Sequence, residues 1–176
     1  MELILAVTII GVFISIGLRI GNKVRRMADI AADKALLSCL ALECNAVMEE
    51  GNIDLSGMTD MKGFAVALAK AGGPNDISSY QSKKRRNQKH MEIIVDGNQN
   101  TALKNTDFDF IAVNPNVKPT DRDVLFCTRG LQKEGKWNGK DSLYGHEGGL
   151  IVFRDGHTQF CSENKDVADK LTKHSD

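Results

Sequence analysis

The chain has 176 residues with 23 basic and 23 acidic side chains, so its formal net charge is zero and its pI is near 6.9. That balance gives no global reason to expect nucleic acid or a charged membrane surface as partner, and the length leaves room for one small domain beside any anchor. Four cysteines are too few for a disulfide-built scaffold, and an aromatic share of 6% points to a modest core.

The first stretch is the most unusual. From Leu3 to Leu18 no residue is charged, and as a helix this run measures roughly 24 Å, a little short of the ~30 Å hydrocarbon core of a bilayer. Glu2 stands at its extreme end, and Thr8, Gly11, Ser15 and Gly17 interrupt the large apolar residues inside it. An intramembrane carboxylate is costly and usually has an assigned partner, so this pattern predicts a helix that leaves lipid to pack against copies of itself. A secretory signal peptide would carry its basic residues first, whereas Arg19, Lys23, Arg25 and Arg26 come after the apolar run. A simple positive-inside count would keep the remainder of the chain in the cytoplasm.

Beyond Arg19 the helical pattern continues. Ile30, Leu37, Leu40, Cys44 and Val47 recur at three- and four-residue steps, with Ala31, Ala41 and Met48 alongside, while Arg26, Asp33, Lys34, Glu43 and Glu49 fall elsewhere on the wheel. One continuous helix of roughly 45 to 50 residues, about 70 Å long, is expected; the alternative is two helices broken near Gly21-Asn22. No proline interrupts the segment, and Glu49-Glu50-Gly51 supplies a stop.

After a loop from Asn52 to Met58, a short helix starts near Asp60, capped by Thr59 or Asp60, with Phe64, Leu68 and Ala71 on its apolar stripe and Gly72-Gly73-Pro74 at its end. The basic run from Ser82 to His90 reads as a solvated loop, and it lacks the interleaved aromatics that stack on bases. The period then changes to two, with strands expected at Met91–Val95, Phe108–Val113, Val124–Thr128, Leu150–Phe153 and Thr158–Cys161. Asp155-Gly156 between the last two predicts a two-residue hairpin turn, and Asp166–Lys173 a terminal helix or frayed tail. Cys39 and Cys44 are poorly spaced for a bridge; Cys127 and Cys161, on two strand-like runs, form either a disulfide in an oxidising compartment or two buried free thiols. Trp137 is expected as a partly buried loop anchor, with a partner-binding aromatic as the alternative.

Glu2-Leu3 and Ile9-Ile10-Gly11, nine residues from glutamate to glycine, make this stretch resemble the N-terminal helix of type IV pilins and type II secretion pseudopilins. Phe64-Ala65 through Gly72-Gly73-Pro74-Asn75-Asp76 is similar to the equivalent helix and turn of pilin-like proteins. Tyr144-Gly145-His146 through Asp155-Gly156-His157 resembles their final hairpin, with His146 nine residues before Asp155. The resemblance implies an α+β fold: a long N-terminal helix, transmembrane in its first half and amphipathic in its second, packed on a small antiparallel sheet. It divides the chain into a filament-core helix over 1–26, its amphipathic continuation over 27–50 and a globular head over 51–176. It also implies that a basic leader, the processing glycine and the first mature residues precede Met1, which would place the N-terminus in the cytoplasm and the head outside the bacterial inner membrane.

The implied function is that of a structural subunit of a type IV pilus-like or secretion pseudopilus filament. Glu2, Gly11, Ser15 and Gly17 would serve assembly, Glu2 by neutralising the terminal ammonium of the adjacent subunit, and His146, Asp155 and Gly156 would be the C-terminal family motif. The expected partners are further copies of the chain, an inner-membrane assembly platform and the prepilin peptidase. Some pseudopilins hold their C-terminal loop with Ca²⁺, and Asn138, Asp141, Glu147 and Asp155 offer hard oxygens near glycines; a resident cofactor is not expected otherwise. His146, Glu147, Asp155 and His157 are ligand types within one hairpin, but no His-Glu-x-x-His, Cys-His or Gly-x-Ser-x-Gly arrangement supplies catalysis, so an enzyme is not expected. The alternative from another class is a single-pass, membrane-anchored extracytoplasmic binding module that does not polymerise.

Overall fold

The computed structural model describes residues 2–51, 60–83, 93, 103–113 and 124–172, leaving out the side chains of 2–10, 12, 13, 16, 51, 105 and 170–172. The chain forms two compact units, Met1–Asp33 and Lys34–Asp176. The division falls inside a single helix.

That helix, α1, is Glu2–Gly51, 50 residues with no break at Gly21-Asn22. It contains no proline, and Ala28, Ala31, Ala32, Ala35, Leu36 and Leu37 supply strong helix formers through its middle. Within the head unit, Leu37, Leu40, Ala41 and Cys44 are all at most 2% exposed, the i, i+3, i+4, i+7 spacing that puts one helical face into a core. Asp33, expected on the polar face, is also buried.

Helix α2, Met61–Lys70, starts where Asp60 accepts a hydrogen bond from the Gly63 amide at 2.7 Å. It ends in a Schellman turn: Gly72 takes φ +89°, its amide donates to the Ala69 carbonyl, and the Gly73 amide donates to the Leu68 carbonyl at 2.8 Å. Phe64 and Leu68 are buried as their spacing predicts, and the Phe64 ring meets Phe126 edge to face, with centroids 5.4 Å apart.

Four antiparallel strands come next as a meander in the order β1-β2-β3-β4: β1 Phe110–Ala112, β2 Val124–Thr128, β3 Gly149–Phe153 and β4 Thr158–Cys161. Three of these match the expected runs to within a residue, and β1 occupies the middle of its run. Of the expected strand Met91–Val95, all but Ile93 lies outside the described residues; Ile93 is buried and its amide donates to the Asn75 carbonyl. Every residue of β2 is buried, so both sheet faces are covered. On one face Val113, Val124, Cys127, Trp137, Ile151 and Val167 cluster. Phe126, one residue before Cys127, projects to the opposite face and meets Phe64. A bulge between Val124 and Phe126 lets Val124 and Cys127 share a face. Helix α3, Lys165–Thr172, is capped by Asn164, whose side-chain oxygen accepts from the Val167 amide at 3.0 Å, and it closes that cluster with Val167.

One expectation changes, and two open alternatives are decided. The β3–β4 connection is a three-residue loop, Arg154-Asp155-Gly156: the Phe153 amide bonds the His157 carbonyl, the Gly156 amide bonds the Phe153 carbonyl, and Gly156 takes φ +81°. This is a type I turn with a glycine bulge in place of the two-residue turn. Cys127 and Cys161 are free thiols. Cys127 pairs with Ile151 of β3, which pairs with Gln159 of β4, so two strand spacings of about 4.8 Å separate the cysteine strands, beyond the ~7 Å limit of a bridge. Trp137 is only 2% exposed, which excludes it as a partner-facing aromatic; its indole N–H donates to the Thr128 carbonyl at 3.4 Å. A methyl group at Gly149 would overlap the indole and the Thr128 hydroxyl. Removal of the indole therefore empties the centre of a covered face: Trp137→Ala is expected to lower the head's unfolding free energy by about 3–5 kcal/mol in urea titrations, whereas Lys136→Ala, at an exposed position, changes it by about 0.5 kcal/mol or less.

Candidate functional site

The expected assembly residues lie on the N-terminal unit. Among its described side chains, Ile14, Leu18, Ile20, Val24 and Met27 are between 58% and 64% exposed. Covering each would yield roughly 1.5–3 kcal/mol. Gly11, Gly17 and Gly21 leave open space where a side chain would stand, with nothing within 4 Å of a built Cβ. Ser15 is exposed between them. The structure thus presents three of the four sequence-chosen residues, Gly11, Ser15 and Gly17, on an uncovered apolar helix. The Glu2 side chain and most of the Leu3–Leu18 run lie outside the described side chains. Among the described residues no helix is long and apolar enough to cross a membrane.

The C-terminal motif divides. Gly156 sits at the tip of the β3–β4 turn, where its carbonyl accepts from Ser38 Oγ at 2.6 Å, and a Cβ there would come within 3.0 Å of Leu42 Cγ. The Arg154 carbonyl accepts from the Asn45 side-chain amide. The turn is therefore seated on α1, and its positive φ explains the glycine. Asp155 is exposed and accepts from the His157 amide at 2.8 Å, which shapes the turn. His146 is separate, in the single-turn helix Gly145–Glu147 before β3, its imidazole against Gly139.

The four oxygen donors considered for Ca²⁺ do not converge. Asn138 and Asp141 are engaged with each other at 2.7 Å in one turn, but Glu147 precedes β3 and Asp155 comes after it, so the five residues of that strand hold them roughly 15–20 Å apart at about 3.4 Å per residue. Among the described residues no group of three His, Cys, Asp or Glu side chains could hold a metal ion.

One polar centre was not foreseen from the sequence. Asp109, fully buried before β1, accepts from the Ser82 amide at 2.9 Å and faces Arg129 Nη2 at 3.7 Å; Arg129 Nη1 donates to the Thr106 carbonyl. The backbone repeats the link, with the Arg129 amide on the Asp109 carbonyl and the Asp109 amide on the Tyr80 carbonyl. Ser82, expected to open a solvated basic loop, is an interior anchor instead, while 84–90 lie outside the described residues. Its hydroxyl has no hydrogen-bond partner among the described residues. The centre is structural in form: it ties the chain after Tyr80 to the β1–β2 pair. The only hint in the sequence is an aspartate at the even step between Phe108 and Phe110.

Burial governs the thiols. It raises Cys44, with Glu43 adding to the effect, and pushes Cys127 up to about 12; Tyr80, beside Cys44 and Glu43, is raised for the same leading reason. These groups are held protonated and unreactive, whereas Cys39 is exposed. Below pH 9 folded and unfolded chains alike keep the Cys127 proton. Between its ordinary value of 9.0 and its folded value of about 12 only the unfolded chain gives it up, so stability falls with rising pH across that window. Urea midpoints are expected to decline from pH 9 upward, with a smaller decline in Cys127→Ser once that variant's lower starting stability is subtracted. No family model matches the chain, and no curated protein or solved structure is detectably similar to it.

Proposed function

We propose that the chain is a structural subunit of a filament of the type IV pilus or type II secretion pseudopilus kind, held in the bacterial inner membrane by α1 and assembled through that helix. The single observation that supports this reading is the uncovered face of the N-terminal unit, where Ile14, Leu18, Ile20, Val24 and Met27 are exposed beside Gly11 and Gly17. Water does not tolerate such a surface for long, and small residues let helices approach closely once they leave lipid. Sister helices meet both requirements. Within the head unit, α1 contributes Leu37, Leu40, Ala41 and Cys44 to the core. Glu2 fits the same reading as the partner of a neighbouring subunit's N-terminal charge, a pairing strong only where its desolvation is offset.

The experiment is electron microscopy of the full chain expressed with its membrane and assembly machinery. Filaments are expected from the parent, with strong loss in Gly17→Leu, at a position where an added Cβ has nothing within 4 Å and which lies outside the head unit, so the head's urea midpoint is expected to stay unchanged. Glu2→Ala is expected to reduce assembly likewise. A parent that remains monomeric under these conditions, or a Gly17→Leu variant that polymerises as the parent does, overturns the proposal.

A further inference from the structure

The apolar surface of the N-terminal unit is accompanied by a block of positive charge. Between Leu3 and Ala28 the chain carries Arg19, Lys23, Arg25 and Arg26 and no acidic residue. Arg19, Lys23 and Arg25 are exposed. At about 100° per residue, Arg19, Lys23 and Arg26 fall on one side of the helix and Arg25 on another. The charges therefore occupy two faces, and a single acidic helix laid along one of them would leave Arg25 out. They span about 10 Å along the axis, somewhat more than the polar zone on one side of a bilayer, which is about 5–7 Å. Exposed apolar side chains lie among them: Leu18, Ile20, Val24 and Met27. A surface that carries cations on two faces and apolar side chains between them is complementary to a layer where anionic headgroups meet acyl chains.

We infer that Arg19, Lys23 and Arg25 bind anionic phospholipid headgroups at the edge of the bilayer, holding the subunit in the membrane until assembly removes it. The inference rests on the membrane-anchored reading above and adds the chemistry of the lipid. Each cation near an anionic surface strengthens partitioning by about fivefold, so the three together amount to roughly a hundredfold. The attraction is screened by salt, while the apolar contribution is not.

The test is co-sedimentation of the full chain, diluted from detergent, with vesicles of phosphatidylcholine alone and with vesicles in which about a third of the lipid is phosphatidylglycerol. The parent is expected to bind both and to favour the anionic vesicles by one to two orders of magnitude at low salt. Arg19→Gln/Lys23→Gln/Arg25→Gln is expected to bind both about equally. Its fold is checked by the head's urea midpoint, since these positions lie in the N-terminal unit. Equal binding of the parent to the two vesicles, or an undiminished preference in the triple variant, overturns the inference while leaving the anchor reading intact. Failure to bind either vesicle overturns both.

Discussion

The contact on which the head depends is the seating of one turn on one helix. Ser38 and Asn45, seven residues and two helical turns apart, donate side-chain hydrogen bonds to the carbonyls of Gly156 and Arg154. Two successive bends of the β3–β4 loop are thereby fixed to α1 by backbone acceptors that no substitution in the loop can remove. A left-handed residue is needed where the loop turns back, and Leu42 leaves little room for a side chain there, so glycine at 156 meets both conditions. With that end of the hairpin held, β3 is positioned to pair with β2 on one side and β4 on the other, and the sheet's two faces can be covered by different elements.

The same helix is used in opposite ways along its length. Over Leu37 to Cys44 one face, Leu37, Leu40, Ala41 and Cys44, is buried to within 2% of fully, while Leu42 on the other side is 53% exposed, and this part obeys the ordinary logic of an amphipathic helix supporting a core. Over Ile14 to Met27 the large apolar residues Ile14, Leu18, Ile20, Val24 and Met27 are more than half exposed. Leucine serves in both parts. What differs is the company: glycines at 11, 17 and 21 in the exposed part, and an alanine with a cysteine on the buried face. Glycine is the poorest ordinary residue for a helix interior. Three of them in a helix that nevertheless forms are explained more readily by close approach of a neighbour than by the needs of the helix.

Much of this was legible in advance because its signals are local. The Asp60 cap, the Gly72-Gly73 stop and the strands β2, β3 and β4 each arise from short patterns whose physics is contained within a few residues. What the sequence left open or missed has the opposite property. Whether Trp137 is covered depends on Ile151 and Val167, which are distant in sequence. Whether Cys127 can reach Cys161 depends on the order of strands, and a meander places β3 between them. The seating of Gly156 on Ser38, 118 positions away, and the tie between Ser82 and Asp109 are long-range choices that periodicity does not encode. His146 and Asp155, drawn together in the sequence by a motif spacing, belong to opposite ends of β3.

Net charge averages over an uneven distribution. Zero overall is the cancellation of a segment from Leu3 to Ala28 that carries four cations and no anions against a remainder that is net acidic by the same amount. An average over the chain hides that separation. Under the membrane-anchored filament proposed above, the two parts would occupy different surroundings, with lipid headgroups supplying countercharge to the cations before assembly. Once the lipid is gone, the acidic surplus of neighbouring subunits would be the remaining source of countercharge, so on that proposal assembly exchanges one set of anions for another as well as one apolar cover for another.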